Sequence, residues 1–258
     1  MTRIKFEKYQ GCGNDFIIVD NRNNNIQLSK NQIFRLCDRR FGIGADGFIE
    51  IIKNDNNHFL MQYYNSDGNL SSLCGNGSRC AVAFAHKIGM ILNEASFTSN
   101  EITNKCTIQD MDVEIEMNAI SKINKNDRGH FVLNTGSPHY IIFDSIQDDK
   151  LIEKARAIRY SDEFPEGINV NWATKIGEKE LFVRTYERGV EDETYSCGTG
   201  VTAAALAYAH EYKIEHDVIN IKTKGGDFLI RFGAENDHFK NVKLKGAATF
   251  VFEGEITI

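Results

Sequence analysis

No apolar run in this 258-residue chain approaches the ~18 residues of a membrane-spanning helix. There is no basic block and no basic stripe interleaved with aromatics. The formal charge is −6, which argues against nucleic acid as the main partner. The six cysteines form no Cys-x-x-Cys, and no close pair of them neighbours close histidines. A structural zinc or any other metal centre is therefore not expected. A secreted disulfide scaffold does not fit this length and composition either. The first ten residues, MTRIKFEKYQ, lack the apolar stretch of a signal peptide, so a cytoplasmic, reducing location is the expectation. Without such a signal the Asn-x-Ser matches at Asn69 and Asn76 carry no meaning.

What the chain does have is a segment that repeats. Cys74-Gly75-Asn76-Gly77 opens CGNGSRCAVAFAH, and Cys197-Gly198-Thr199-Gly200 opens CGTGVTAAALAYAH. Each Cys-Gly-x-Gly leads into an Ala-rich apolar run of helical length. At 41% hydrophobic and 26% charged residues the composition is ordinary for a globular protein. The length allows one large domain or two ordinary ones, and the repeat favours two: residues 1–120 and 121–246. The polar, weakly patterned stretch 118–130 reads as the linker between them.

Strand patterns dominate. Alternation predicts strands at 4–10, 16–20, 48–53, 59–65, 96–99, 105–109 and 112–117, the last with Val113, Ile115 and Met117 inward. The second half resumes with strands at 131–134, 139–144, 168–173 and 181–186. Four more strand-like segments finish the chain, with Gly225-Gly226 as a hairpin turn. Ser29 to Gln32 is a capping box that starts a helix to about Arg39. Another helix is expected near 148–158. The Ala-rich helices should run from Gly75 to Leu92 and from Gly198 to about Tyr212. Lacking a polar face, both should be buried. The expected fold is α/β (α+β): two similar halves, each a curved mixed sheet wrapped around one central helix.

The cysteines carry the chemistry. A helix N-terminus presents free backbone N–H groups and a partial positive charge. That charge favours thiolate over thiol, so Cys74 and Cys197 should have lowered pKa values. The same N–H groups bind anions such as a carboxylate. A lone Cys-Gly-x-Gly reads equally as a small residue at a tight turn; two of them, each before an apolar helix, do not. Two thiols suit inversion at an amino-acid α-carbon, which needs a base on one face, an acid on the other and stabilisation of the carbanion. One thiolate and one thiol serve both directions.

The same residues identify a family. Gly11-Cys-Gly-Asn-Asp-Phe16 resembles the amino-terminal G-x-GNDF of the diaminopimelate epimerases, and Arg40 to Asp46 resembles their RFGIGxD. Tyr64-Asn-Ser-Asp-Gly68 with Cys74 to Arg79 resembles FNxDG followed by CGNGxR. Gly136-Ser-Pro-His139 resembles GNPH. Phe164-Pro165 with Asn169-Val-Asn171 resembles FPxxxNV, and Glu187-Arg-Gly189 with Cys197 to Gly200 resembles ERGxGET and CGTG. The matches run in order along essentially the whole chain.

The resemblance implies interconversion of L,L- and meso-2,6-diaminoheptanedioate without a cofactor, in lysine biosynthesis. Cys74 and Cys197 would be the proton-transfer residues. Gly75, Asn76, Gly198 and Thr199 would hold the carboxylate at the reacting carbon. Asn14, Asn65, Asn169, Glu187 and Arg188 would hold the rest of the substrate, the guanidinium suiting a carboxylate and the carboxylate an ammonium. His139, Glu187 and Ser137 would tune or support the thiols, although His139 reads equally as a buried strand histidine. Glu187 and Arg188 are adjacent, so one of them needs a local irregularity to reach a shared pocket. The resemblance further implies a site in the cleft between the halves, a terminal strand (247–258) that packs on the first half, and a homodimer.

Three positions depart from the family pattern. Gly47 stands where many members have Gln, Ser137 replaces the Asn of GNPH, and Val190-Glu191-Asp192 lengthens the segment after Gly189. Among rivals, proline racemases usually carry His where this chain has Asn76, and phenazine-biosynthesis isomerases do not use the cysteine pair. A redox switch that closes a Cys74–Cys197 disulfide is the rival from outside catalysis.

Overall fold

The computed structural model describes residues 3–54, 58–71, 74–117, 120, 122–235 and 238–258. Contacts divide the chain into two units, one comprising the residues up to Ile115 together with Gly246–Ile258, the other Glu116–Lys245. Among the described residues no helix is long and apolar enough to cross a membrane.

The first unit contains β1 (Arg3–Gly11), β2 (Asn14–Asp20), α1 (Lys30–Cys37), β3 (Gly47–Lys53), β4 (Phe59–Asn65), α2 (Gly75–Lys87), β5 (Glu94–Ser99), β6 (Ile102–Gln109) and β7 (Asp112–Glu116), which ends at the unit boundary. The second contains β8 (Asn124–Lys125), β9 (Phe131–Asn134), β10 (Pro138–Ile142), α3 (Asp148–Arg159), β11 (Asn169–Gly177), β12 (Glu180–Glu187), β13 (Asp192–Thr194), α4 (Gly198–Glu211), β14 (His216–Lys222), β15 (Asp227–Glu235) and β16 (His238–Ala247). The last strand, β17 (Thr249–Thr257), returns to the first unit and pairs antiparallel with β1. Residues 118–130 lie partly outside the described residues, and their described part includes β8, which pairs with β9.

Each unit is a mixed sheet, and the two have the same plan. In the first, β1–β2 is antiparallel, β2–β3 parallel, β3–β4 antiparallel, β4–β5 parallel and β5–β6 antiparallel. In the second the series recurs as β9–β10, β10–β11, β11–β12, β12–β14 and β14–β15. Parallel neighbours need a crossover, and a helix supplies it each time: α1 and α2 in the first unit, α3 and α4 in the second.

Alternation along the strands sorts side chains between two layers. On β2, Phe16 and Ile18 join the core around α2, whereas Ile17 and Val19 join the layer under α1 with Ile33, Leu36 and Phe48. Buried on both faces, β2 reads as a continuous apolar run. In the second unit Tyr140, Ile142, Val170, Trp172 and Tyr186 pack with Leu151 and Ala155 of α3. The opposite faces of those strands turn to α4, which is buried from Gly198 through Ala209 except at Thr199.

Two expectations need amendment. Helix α2 ends at Lys87 rather than Leu92. Gly89 adopts φ +71, Gly89 N–H donates to His86 O and Met90 N–H to Ala85 O, which is a Schellman stop. Nor is α2 apolar all round: Arg79 is wholly buried in it, donating to Gly75 O, Asn76 Oδ1 and Ala247 O.

Candidate active site

Both repeated cysteines are N-caps. Cys74 precedes α2 and Cys197 precedes α4, each with extended backbone, so each sulfur lies where the first helical N–H groups point. Their surroundings differ. Gly77 N–H donates to Cys74 Sγ at 3.4 Å. Cys197 Sγ instead lies 3.4 Å from the Thr199 hydroxyl. Cys74 is partly exposed and Cys197 is 9% exposed.

In the first unit the α2 N-terminus is tied to the β1–β2 turn. Asn76 donates to Asn14 Oδ1, and Asn14 Nδ2 donates to Asp46 Oδ2 at 3.0 Å. Arg39 bridges Asp15 and Asp46 at 2.6 and 2.7 Å, and Lys8 pairs with Asp15 at 2.8 Å. Burial opposes ionisation of Asp15, yet the hydrogen bonds from Arg39 and Lys8 outweigh it and hold its carboxyl at about 2. Asn14 and Asn76 are thus set in place by charged partners. Asn65 is exposed at the end of β4, in the turn that Gly68 N–H closes onto Asn65 O. At Gly47 a Cβ would lie 2.4 Å from the Tyr63 ring, which accounts for glycine at this departure from the family pattern.

In the second unit Asn169 holds two segments. Its Nδ2 donates to Ser137 Oγ and Pro138 O, both at 2.8 Å, and its Oδ1 accepts from Arg188 N–H at 2.9 Å. Ser137 therefore takes up a contact with Asn169. Glu187 is the last residue of β12 and Arg188 the first of the turn beyond it, so the strand's regular alternation ends between them. The guanidinium of Arg188 donates to Glu166 O at 3.3 Å. The lengthened segment is anchored by Glu191, which accepts from Arg159 at 2.9 Å, Tyr160 at 2.8 Å, Tyr186 at 3.1 Å and Gly189 N–H at 3.0 Å. Burial resists its ionisation, but these donors prevail and hold the Glu191 carboxyl at about 2.

His139 is wholly buried on β10, and its Nε2 lies 2.9 Å from Thr199 Oγ1. Burial, reinforced by the Arg188 charge, lowers its pKa to about 3, so the ring is neutral at ordinary pH. Its Nδ1 meets Asn171 Nδ2 at 3.1 Å, Thr185 donates to Asn171 Oδ1 at 2.8 Å, and Thr135 donates to Thr199 O at 2.8 Å. Arg79 and Asn171 lie within the matched motifs but were given no role there, and Thr185 and Thr135 were not singled out. The available signals were a charge inside an Ala-rich helix and, for Asn171, a polar residue two places beyond Asn169 on the same strand face.

The family model described as Diaminopimelate epimerase matches residues 6–120 and again 131–251. A diaminopimelate epimerase of Flavobacterium psychrophilum is 45% identical, over 98% of this chain and 100% of its own. That of Aquifex aeolicus is 35% identical, over 98% of both. Among solved structures, a PhzF-family phenazine biosynthesis protein from Bacillus anthracis superposes with a TM-score of 0.78 at 15% identity, covering 100% of both chains. A hydroxyproline epimerase from Agrobacterium vitis gives 0.69 at 13% identity, covering 99% of this chain and 91% of its own. These two likenesses show the fold, mixed α/β and sheet-dominated. With the family model matched twice and the relatives matched end to end, the chain belongs to the diaminopimelate epimerase family.

Proposed function

We propose that this protein is an isomerase that epimerises L,L-2,6-diaminoheptanedioate to the meso isomer with two thiols and no cofactor. The observation that carries the mechanism is the duplicated one: a cysteine at the N-cap of a buried helix in each unit. The names of the full-length relatives support the substrate.

In this reading one cysteine, as thiolate, takes the α-proton, and the electron pair left on carbon delocalises into the carboxylate. The other cysteine, as thiol, gives a proton to the opposite face, so the two sulfurs exchange protonation states. Gly75 and Asn76, with Gly198 and Thr199, supply the helix N-terminal donors that stabilise the charge on that carboxylate. Asn14 and Asn65 line the substrate from the first unit, and Asn169 sets the backbone at Arg188. Arg188 and Glu187 suit the carboxylate and ammonium of the distal, unreacting end. Glu187, His139 and Ser137 support the thiols and their loops. The two units are read as the two epimerase halves. A cytoplasmic homodimer belongs to the same reading and is supported by the family resemblance.

The test is reduced protein with L,L-diaminopimelate in deuterated water, following stereochemistry and α-deuterium together. Meso product carrying solvent deuterium at one centre is expected, and Cys74→Ala or Cys197→Ala should abolish inversion while leaving the fold intact. Folded wild-type protein with free thiols that neither inverts nor exchanges the substrate overturns the reading.

A further inference from the structure

The two units share a strand register along their core strands, so residues there have counterparts from one unit to the other. Phe16 lies one strand from the centre of the first unit as His139 does in the second: Ile18 pairs with Ile49 on β3, and Ile141 with Asn171 on β11. Ile49 then pairs with Tyr63 on β4, and Asn171 with Thr185 on β12. The trio Phe16, Ile49, Tyr63 beneath α2 thus corresponds to His139, Asn171, Thr185 beneath α4. A Cβ on Gly77 would meet Ile49 and Phe16, both at 3.3 Å. On the matching Gly200 it would lie 2.5 Å from Asn171 Oδ1, 3.2 Å from Thr185 Oγ1 and 3.3 Å from His139 Cε1.

The second unit thus has a buried polar trio where the first has Phe16, Ile49 and Tyr63. Buried polar groups are costly when unmatched, so their hydrogen bonds must close. They close in one direction only. Asn171 Nδ2 donates to Tyr140 O at 3.2 Å, a carbonyl that can only accept, so that atom of the amide is the nitrogen. The same Nδ2 is 3.1 Å from His139 Nδ1, and Thr185 satisfies the amide oxygen. His139 Nδ1 must then accept, which puts the ring proton on Nε2, facing Thr199 Oγ1. With an oxygen lone pair of Thr199 occupied by that proton, its own hydroxyl hydrogen is released toward Cys197 Sγ.

We propose that Asn171 is a positioning residue for Cys197: it locks neutral His139 in the Nε2–H tautomer, so that Thr199 donates its hydroxyl proton to the Cys197 thiolate. Cys74 Sγ accepts from the backbone N–H of Gly77, and the positions that match His139, Asn171 and Thr185 are Phe16, Ile49 and Tyr63. The two thiols of the proposed reaction are thus stabilised by different means, one fixed in the main chain and one set by a tautomer. The functional meaning of this relay rests on the two-thiol reading above; the relay itself does not.

The experiment needs no substrate. Long-range ¹H–¹⁵N spectra of histidine-labelled protein, with His139 assigned by its loss in His139→Gln, read the tautomer directly. The expected result is a neutral Nε2–H ring at pH 5 to 8, with Arg188 the charged group acting on it. A ring protonated at Nδ1 overturns the proposal whatever any variant does. The ¹³Cβ resonance of Cys197, assigned with Cys197→Ser, then gives its titration. Asn171→Asp can only accept from the ring, so it should move the proton to Nδ1 and raise the Cys197 pKa by about one unit, a tenfold loss of thiolate at neutral pH. Adding His139→Gln, whose amide donates to Thr199 irrespective of tautomer, should restore the wild-type titration. An unchanged Cys197 titration in a folded Asn171→Asp protein with a flipped ring also overturns the proposal. Failure of the epimerase assay with this pattern intact would remove the substrate reading and leave the relay standing.

Discussion

Residue by residue, the cysteines separate by environment. Burial pushes the thiols of Cys37 and Cys106 up to about 12 and raises that of Cys80 as well. Cys74 is partly exposed at a helix N-terminus, where thiolate is favoured. Native protein treated briefly with iodoacetamide at pH 7.5 should therefore be alkylated at Cys74 at least ~10-fold faster than at Cys37, Cys80 or Cys106. Peptide mass spectrometry reads the order, and equal labelling would contradict it. Glu50 gives a pH signature in stability. It is 5% exposed on β3, and burial, opposed only by a hydrogen bond with Asn21, raises its pKa from 4.5 to about 7. Between those values the folded protein binds more protons than the unfolded chain, so stability falls as pH rises through that window and levels off above it. The full loss amounts to about 3 kcal/mol at most. Glu50→Gln should remove this fall, narrowing the gap between urea midpoints at pH 5 and pH 8. A wild-type midpoint that does not fall over that range would show that Glu50 ionises freely in the fold.

At the scale of elements, the ends of the central helices carry a matched pair of stops with unmatched residues. Helix α2 stops on Gly89; α4 stops on Lys213, which takes φ +54 while Ile214 N–H donates to Ala209 O. A side chain in the left-handed region costs about 1 kcal/mol that glycine avoids. Lys213→Gly, at an exposed position, should therefore raise stability by up to about 1 kcal/mol, measured by urea unfolding. A loss of stability would mean that the lysine side chain makes contacts that outweigh its backbone. The same pair shows where sequence reading succeeds. The ends of α4 were legible because its apolar run gives way to Glu211-Tyr-Lys. That of α2 was not, because Ile88 and Met90 around Gly89 continue the apolar pattern and conceal the stop. Strands β4 and β9 were legible to the residue from alternation and flanking turns, whereas three-residue β13 has too few positions to show a period. In the site, the cysteines, Asn14, Asn76 and His139 stood out by motif. Asn171 fell in a matched motif without a role and Thr185 in none, since their partnership exists only once β10, β11 and β12 lie side by side in register. Arg79 closed the matched CGNGxR string, but its buried role was hidden by the average character of its helix, and its partners, Asn76 and Ala247, are remote from each other in sequence.

Across the whole molecule, the family model that matches twice and the strand series that recurs describe one architecture used in duplicate. The repeated plan pairs the cysteines without making the two surroundings alike. The first unit has Phe16, Ile49 and Tyr63 beneath its helix; the second has His139, Asn171 and Thr185, and with them a buried network that tolerates no Cβ at Gly200. Asymmetry is thus written into the floors of the helices rather than into the cysteines themselves. One more asymmetry follows from β17. The second unit is continuous in sequence, but the first is not: its strand β1 waits for β17, and buried Arg79 waits for the carbonyl of Ala247. A chain emerging from the ribosome therefore has its second unit's residues in hand before its first unit can be completed, and the half that is synthesised first is the last to be closed.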